Sequence, residues 1–205
     1  MTTAREAARV GLLLAAGHAR RYGGDKLLAA MADGQPLALA ALANLHAALA
    51  DVRVVLRAVQ TELAERCRAA GAGVILVPES STGMGENIAR GVAACPAAAG
   101  WIIALADMPW VSPASVRAID AALAEGAAMA APVYRGRRGH PVGFAARWGA
   151  ELCALSGDQG ARALIARAPQ ALLEVQVCDA GVLRDVDVPE DLAGLGDFDA
   201  GQSVR

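Results

Sequence analysis

The chain has 205 residues, of which 55% are hydrophobic, 20% charged and 3% aromatic, and its formal net charge is -2. This charge and the scarcity of aromatic side chains argue against a nucleic-acid partner, which needs a basic surface and rings on which bases stack. The mean hydropathy is +0.36, yet no apolar stretch approaches the ~20 residues that cross a bilayer, so no membrane association is expected.

The first predicted element is a buried strand over residues 10–15, and it leads into a glycine-punctuated basic loop that ends at Lys26. Glycine lets backbone N–H groups approach anionic oxygens, and arginine or lysine neutralises them, so this loop predicts a triphosphate cradle. It is not a Walker loop, because five residues lie between Gly17 and Gly23 where that motif has four, and Lys26 is not followed by serine or threonine. A dinucleotide fingerprint is disfavoured because Ala19 stands where a second glycine is needed.

Two other interpretations of this segment remain open. A secretory signal would explain Arg5 and Arg9 before a short apolar run, but Arg20 and Arg21 follow that run directly. A buried strand with a solvated basic turn is the simpler alternative.

Further apolar runs alternate with helix-like segments, which predicts β-α-β crossovers and an open, mostly parallel sheet sandwiched by helices in one Rossmann-like α/β domain. The strand-like runs are residues 52–56, 74–77, 101–106 and 129–133. Leu42, Leu45 and Leu49 form a helical stripe, and Ser112 before Pro113 predicts a helix start.

The second half begins with a turn-rich stretch over residues 134–140. It continues with predicted strands at 141–144 and 172–177 and helices at 146–154, 160–167 and 189–195. We expect residues 1–195 to form the domain, with the nucleotide in its N-terminal half and an acceptor in its C-terminal half, and residues 196–205 to be a flexible tail. The four widely spaced cysteines predict free thiols in a reducing cytoplasm.

Two segments beyond the first loop fall at predicted strand or helix ends, where ligands bind in parallel sheets. Gly83 and Gly85 lead into a helix whose N-terminal amides are suited to a base, ribose or phosphate, although an ordinary helix start has the same pattern. Asp107 ends an apolar strand and is placed to hold Mg²⁺ on a triphosphate, or else to cap the turn before Pro109.

Six motifs occur in order along most of the chain and carry a family resemblance. They are LAAG (14–17) with Arg21, Gly23 and Lys26; GMG (83–85); LADMPWV (105–111); RGHPVGF (138–144); GDQGAR (157–162); and DVDVPEDL (185–192). Together they resemble the molybdenum cofactor cytidylyltransferases, within the wider group of nucleotidyltransferases related to the molybdopterin guanylyltransferase.

The resemblance implies transfer of CMP from CTP to the terminal phosphate of a molybdopterin-type acceptor, with Mg²⁺, or Mn²⁺ in its place, and release of pyrophosphate. Its implied catalytic residues are Arg21, Lys26 and Asp107, with Asp187 as a second metal ligand unless Asp185 and its neighbours only cap the last helix. The implied nucleotide-binding residues are Leu14, Ala15, Ala16, Gly17, Arg21, Gly23, Lys26, Pro78, Gly83, Met84, Gly85 and Asn87. The implied acceptor-binding residues are Arg138, Gly139, His140, Pro141, Asp158 and Arg162.

The nucleobase is the least determined part of this expectation. Relatives that use CTP tend to carry LAAG and those that use GTP carry LAGG, so Ala16 favours cytidine. Relatives usually have serine at the positions of Ala19 and Asn87, and asparagine at that of Val77, so contacts to the nucleotide differ here. Arg57, where small residues are common, either adds a phosphate or base contact or faces solvent.

Three alternatives to this activity stay open. The first is the same chemistry with GTP as the donor, and the second is the same chemistry on another phosphorylated acceptor such as a sugar phosphate. A protein that delivers molybdenum cofactor to a recipient molybdoenzyme without catalysis is the third, although Arg21, Lys26 and Asp107 are retained. An acceptor phosphate is already anionic, so no nucleophile with a partnering base is required.

Overall fold

The computed structural model describes residues 8–17, 22, 25–81 and 83–193. Its strands are β1 (Val10–Leu14), β2 (Asp51–Arg57), β3 (Gly73–Val77), β4 (Gly100–Leu105), β5 (Met129–Tyr134), β6 (Arg137–Arg138), β7 (Val142–Ala145) and β8 (Leu172–Gln176). Its α-helices are α1 (Leu37–His46), α2 (Thr61–Ala69), α3 (Met84–Ala93), α4 (Pro113–Ala124), α5 (Gly149–Cys153) and α6 (Arg162–Arg167).

The strands form one sheet in the order β3-β2-β1-β4-β7-β5-β6, with β8 on β5. The pairs from β3 to β4 are parallel, as is β5 with β8, which confirms the predicted mostly parallel sheet. The strand β7 is antiparallel and separates β4 from β5, so the fourth and fifth predicted strands are not neighbours. The short strand β6 lies in the stretch predicted to be only turn.

Helices cover both faces of the sheet because successive residues of each buried strand point to opposite sides. Leu13 and Val54 pack with α1, α2 and α4 in one core cluster. Leu12 and Ile103 pack with α3, α5 and α6 in another. The predicted three-layer arrangement is confirmed.

Most predicted helices are present, with shifted ends. The side chain of Ser112 accepts from the N–H of Ala114 and Pro113 begins α4, as predicted. The expected helix at 146–154 is a 3-10 turn followed by the short α5, and the last described helix, Pro189–Ala193, is also 3-10. Residues 194–205, including the expected tail, lie outside the described residues.

Two further expectations from the sequence concern the state of the cysteines and the absence of a segment that crosses a membrane. All four cysteines are free, and burial raises the pKa of the Cys67 thiol to about 11. Among the described residues, no helix is both long and apolar enough to cross a membrane.

Candidate active site

The candidate site lies where the order of the strands reverses. From β1 the chain adds β2 and β3 on one side and β4 on the other, which opens a crevice at the carboxyl ends of β1 and β4. Leu14 is in register with Leu105, and the N–H of Ala106 donates to the carbonyl of Leu14 at 3.1 Å. The glycine loop and Asp107 therefore start side by side.

Lys26 and Asp107 form the charged centre of this crevice. Lys26 begins the 3-10 helix Lys26–Leu28 and is only 9% exposed. Its Nζ donates to Oδ2 of Asp107 at 2.9 Å and to the carbonyl of Val186 at 2.6 Å. Oδ1 of Asp187 lies 3.8 Å from the same Nζ. One ammonium thus offsets the repulsion between two carboxylates that would otherwise face each other.

The loop that carries Asp107 is held from two sides. The N–H of Val186 donates to the carbonyl of Asp107 at 2.9 Å, which joins the C-terminal segment to the loop. From α1, the Nδ2 atom of Asn44 donates to the carbonyl of Pro109 at 2.8 Å. These contacts hold the backbone that carries the Asp107 carboxylate, because the loop cannot shift without breaking them.

A cavity of about 200 Å³ opens at this centre. It is lined by Leu14, Ala15, Gly17, Lys26, Leu27, Asp107 and Asp187. Ala16 instead packs with Val55 and Val77. Arg21 and Gly23, which the sequence also predicts for this site, lie outside the described residues.

The glycines of the GMG motif have a packing role in the structure. The N–H of Gly85 donates to the carbonyl of Gly157 at 2.8 Å. A Cβ on Gly83 would lie 2.5 Å from that carbonyl oxygen, and one on Gly85 would lie 2.7 Å from the carbonyl oxygen of Ser156. Close approach of the GDQGAR loop therefore requires glycine at both positions, independently of any nucleotide.

Pro78 and Asn87 lie at the loop that precedes α3. The carbonyl of Pro78 accepts from the N–H of Ser81 at 3.0 Å, and Oδ1 of the buried Asn87 accepts from Oγ of Ser81 at 2.9 Å. Within the described part of the chain, neither residue is among those lining the cavities at the site. Their predicted role with nucleotide stays a prediction.

A larger cavity of about 680 Å³ adjoins the first, since Leu14 lines both. Five of the six predicted acceptor residues line it, namely Arg138, Gly139, His140, Asp158 and Arg162. Its remaining wall is mostly apolar: Leu14, Met84, Ile88, Ile103, Leu105, Val142, Phe144, Gln159, Ala161 and Ile165. Pro141 lines a small neighbouring cavity together with His140.

His140 lies within electrostatic reach of Arg138 and Arg162 and of Asp107 and Asp185. The backbone N–H of His140 donates to the carbonyl of Val182 at 2.9 Å. Burial, more than the positive charges of Arg138 and Arg162, lowers the pKa of its imidazole, against the opposing influence of Asp107 and Asp185. The ring is therefore neutral at pH 7. Its Nδ1 is buried, with no hydrogen-bond partner among the described residues.

Asp107 and Asp187 are the candidate ligands for a divalent metal at this site. Among the described residues, no group of three or more His, Cys, Asp or Glu side chains could hold an ion. Asp107 and Asp187 nevertheless converge on one cation, the ammonium of Lys26. Two carboxylates, completed by water or by substrate phosphates, suit Mg²⁺ or Mn²⁺, so the residues fit a divalent metal.

One residue beside the site, Gln60, was missed from the sequence. The buried Gln60 donates from Nε2 to the carbonyl of Ala15 at 3.1 Å and accepts the N–H of Arg57 on Oε1 at 2.8 Å, which ties the ends of β1 and β2 together. Nothing in the local sequence marks Gln60, because its partner is distant along the chain. Nε of Arg57 is buried, without a hydrogen-bond partner in the described ranges.

Comparisons with known proteins agree with this geometry. The family model of the MobA-like NTP transferase domain matches residues 11–172. The chain therefore belongs to the MobA-like NTP transferase family, and it is a nucleotidyltransferase. A search of curated proteins found no significant match.

Solved structures share the fold over nearly the whole chain. The homologue of Mycobacterium tuberculosis Rv0371c from Mycobacterium sp. strain JC1 is 29% identical, with a TM-score of 0.79 over 90% of this chain and 94% of that one. Rv0371c from M. tuberculosis H37Rv is 28% identical, with a TM-score of 0.76 over 91% and 96%. A complex of Rv0371c with manganese gives 26% identity and a TM-score of 0.74 over 91% and 96%.

Proposed function

We propose that this nucleotidyltransferase transfers CMP from CTP to the terminal phosphate of a molybdopterin-type cofactor and releases pyrophosphate. The observation that carries the proposal is the pair of cavities that meet at Leu14. One holds Lys26 and two carboxylates, as a metal-bound triphosphate requires, and the other is large enough for an organic acceptor. The reacting phosphates would meet where the cavities join.

The wall of the larger cavity supports an acceptor that combines a flat ring system with an anionic group. Arg138 and Arg162 supply positive charge for a phosphate, and the neutral ring of His140 lies beside them. The apolar side chains of α3, β4, β7 and α6 suit a ring system better than a sugar, whose hydroxyls need polar partners. The motifs RGHPVGF and GDQGAR, which resemble those of the pterin group, supply most of the polar residues.

At the other cavity, Asp107 and Asp187 would hold the metal, and Lys26 with Arg21 would bind the triphosphate. Asp107 and Asp187 would hold Mg²⁺ there, and the ion would supply positive charge against the charge that develops on the phosphates. That the related Rv0371c was solved in complex with manganese supports the use of a divalent ion by this chain. Lys26 now neutralises both carboxylates, and the triphosphate would offer its ammonium a new anionic partner.

The chemical step needs no deprotonated side chain. An anionic oxygen of the acceptor phosphate attacks the α-phosphorus of CTP, a new P–O bond forms, and the bond from the α-phosphorus to the bridging oxygen of the β-phosphate breaks. Pyrophosphate leaves with that bridging oxygen. Lys26 and Arg21 stabilise the charge on the leaving group, and the held loops orient the two phosphates in line.

The choice of cytidine depends on the LAAG motif. Ala16 is buried with Val55 and Val77, so this wall of the first loop is small and apolar. Relatives that use CTP tend to have alanine here, which supports CTP as the donor. A recipient molybdoenzyme in the cytoplasm would take up the product, and the four free cysteines suit that reducing compartment.

The proposal is tested by pyrophosphate release from the purified protein with Mg²⁺ and molybdenum cofactor, offering CTP, GTP, ATP and UTP separately. We expect turnover with CTP that depends on the cofactor. Turnover with GTP alone would keep the reaction and overturn the assigned base. Binding of cofactor without pyrophosphate release from any triphosphate would overturn the catalytic assignment in favour of a delivery role.

A further inference from the structure

The turn that carries Asp187 is closed by the carboxylate of Asp191. The backbone N–H groups of Asp187 and Val188 donate to the same oxygen, Oδ2 of Asp191, at 2.8 and 2.9 Å. Hydrogen bonds to an ionised acceptor are among the stronger ones in proteins. They lower the pKa of the Asp191 carboxyl, with the bond from Val188 contributing most, so this side chain is ionised at neutral pH.

The same turn is attached to the loop of Asp107 through Arg184. Nη2 of Arg184 donates to the backbone carbonyl of Asp191 at 2.9 Å. The guanidinium carbon of Arg184 lies 3.8 Å from the centre of the Trp110 ring, within the range of a cation–π contact. Because Trp110 is three residues after Asp107, the two acidic residues are carried by segments that are tied to each other.

Asp187 is the more exposed of the two acidic residues. Its side chain is 54% exposed, whereas that of Asp107 is 28% exposed. The direction of such an exposed carboxylate depends on the backbone from which it projects. The N–H groups on both sides of the Asp187 Cα, those of Asp187 and Val188, are bonded to Asp191, so Asp191 holds the backbone from which this side chain projects.

We propose that Asp191 is a positioning residue that orients Asp187 toward Lys26 and Asp107 and thereby sets the affinity of the site for a divalent cation. This inference rests on the proposed role of Asp187 as a metal ligand. Residues that orient metal ligands typically change affinity by about 10- to 100-fold when they are removed.

The test measures binding of Mn²⁺ alone to the full chain by electron paramagnetic resonance, with Asp191→Ala as the main variant. We expect Asp191→Ala to weaken Mn²⁺ binding by about 10-fold or more. Asp191→Asn, whose amide oxygen still accepts hydrogen bonds, should recover most of the affinity. Glu190→Gln is the matched control, since it removes a neighbouring charge without a bond to the turn, and it should bind as the wild type does.

A second readout separates positioning from a loss of folded protein. In Asp191→Ala the Mg²⁺ concentration for half-maximal activity should rise, whereas kcat at saturating Mg²⁺ should change by less than about 3-fold. If Asp191→Ala does not fold, Asp191→Glu replaces it, because the extra methylene displaces the carboxylate while keeping its charge. We expect that variant also to weaken Mn²⁺ binding.

Asp187→Asn distinguishes the two ways in which the inference can fail. Wild-type Mn²⁺ binding in the Asp191 variants, with weakened binding in Asp187→Asn, would overturn the role of Asp191 alone. Wild-type binding in Asp187→Asn would overturn the proposed ligand itself, and with it the positioning role.

Discussion

Nζ of Lys26 and Oδ2 of Asp107 are 2.9 Å apart, although 81 residues separate them in the chain. This ion pair joins the segment after the first strand to the end of the fourth. It keeps an acidic side chain compensated inside the crevice, where an unpaired charge would be costly. Because the two side chains pair with each other, a substitution of either residue also changes the surroundings of the other.

Asp107→Asn should abolish most turnover and leave nucleotide binding largely intact. The amide keeps the shape of the side chain and an oxygen for Lys26, but it loses the charge that would bind a metal. We expect kcat to fall by more than about 100-fold, beyond the usual effect of a residue that only orients a ligand. The measurement is pyrophosphate release, with CTP affinity determined by calorimetry.

Asp51→Asn is the control for this substitution. Asp51 begins β2, at the end of the sheet opposite the crevice, and its exposed ion pair with Arg53 contributes little to stability. Its turnover should match that of the wild type. A wild-type rate in Asp107→Asn would remove Asp107 from the metal site.

Replacing Arg138 and Arg162 with glutamine should weaken binding of the acceptor and leave binding of the nucleotide unchanged. Both arginines line the larger cavity, and losing one charged hydrogen bond to a phosphate costs about 1.5–3 kcal/mol, or roughly 10- to 100-fold in affinity. Steady-state kinetics should therefore show a higher KM for the cofactor at an unchanged KM for CTP. Arg167→Gln, at the exposed end of the same helix as Arg162, should change neither constant. Equal increases in both KM values would argue against a separate acceptor cavity.

Two glycines of the predicted nucleotide site should respond differently to alanine. In Gly85→Ala the new Cβ would lie 2.7 Å from a backbone oxygen of Ser156, which cannot move cheaply, so we expect a loss of about 1–3 kcal/mol in the free energy of unfolding. Gly17 has nothing within 4 Å of such a Cβ, so Gly17→Ala should change stability by less than about 0.5 kcal/mol. Urea unfolding of both variants provides the comparison. Equal stability of the two would contradict the packing role of the GMG motif.

The buried imidazole of His140 predicts a specific dependence of stability on pH. Because burial lowers the pKa of His140 in the folded state, the unfolded chain binds a proton on this imidazole at a higher pH than the folded chain does. Its contribution is fully present above the unfolded pKa of about 6.5 and is lost as the pH falls from there toward the lower folded pKa. The free energy of unfolding of the wild type should therefore decrease more steeply than that of His140→Gln between about pH 7 and 5. Parallel curves for the two proteins would show that this imidazole titrates normally.

The alternation of buried strands and helices was predictable from the sequence, because unbroken apolar runs such as residues 101–106 have few other stable arrangements. Asp107 was marked by its place directly after such a run, whereas Lys26 and the RGH segment were marked by the ordered motifs that carry the family resemblance. The start of α4 was predictable because a serine followed by proline, here Ser112 and Pro113, is a local pattern of helix N-termini.

Tertiary packing, which no local pattern recorded, placed β7 between β4 and β5, brought the GDQGAR loop against the GMG glycines, and closed the turn at Asp187 with Asp191. It also brought the carbonyl of Val186 to Lys26 across 160 residues. Local patterns record whether a residue is buried, but they do not specify its partner. Partners are selected when distant segments pack together, because the free energy of each contact depends on all the others that form with it.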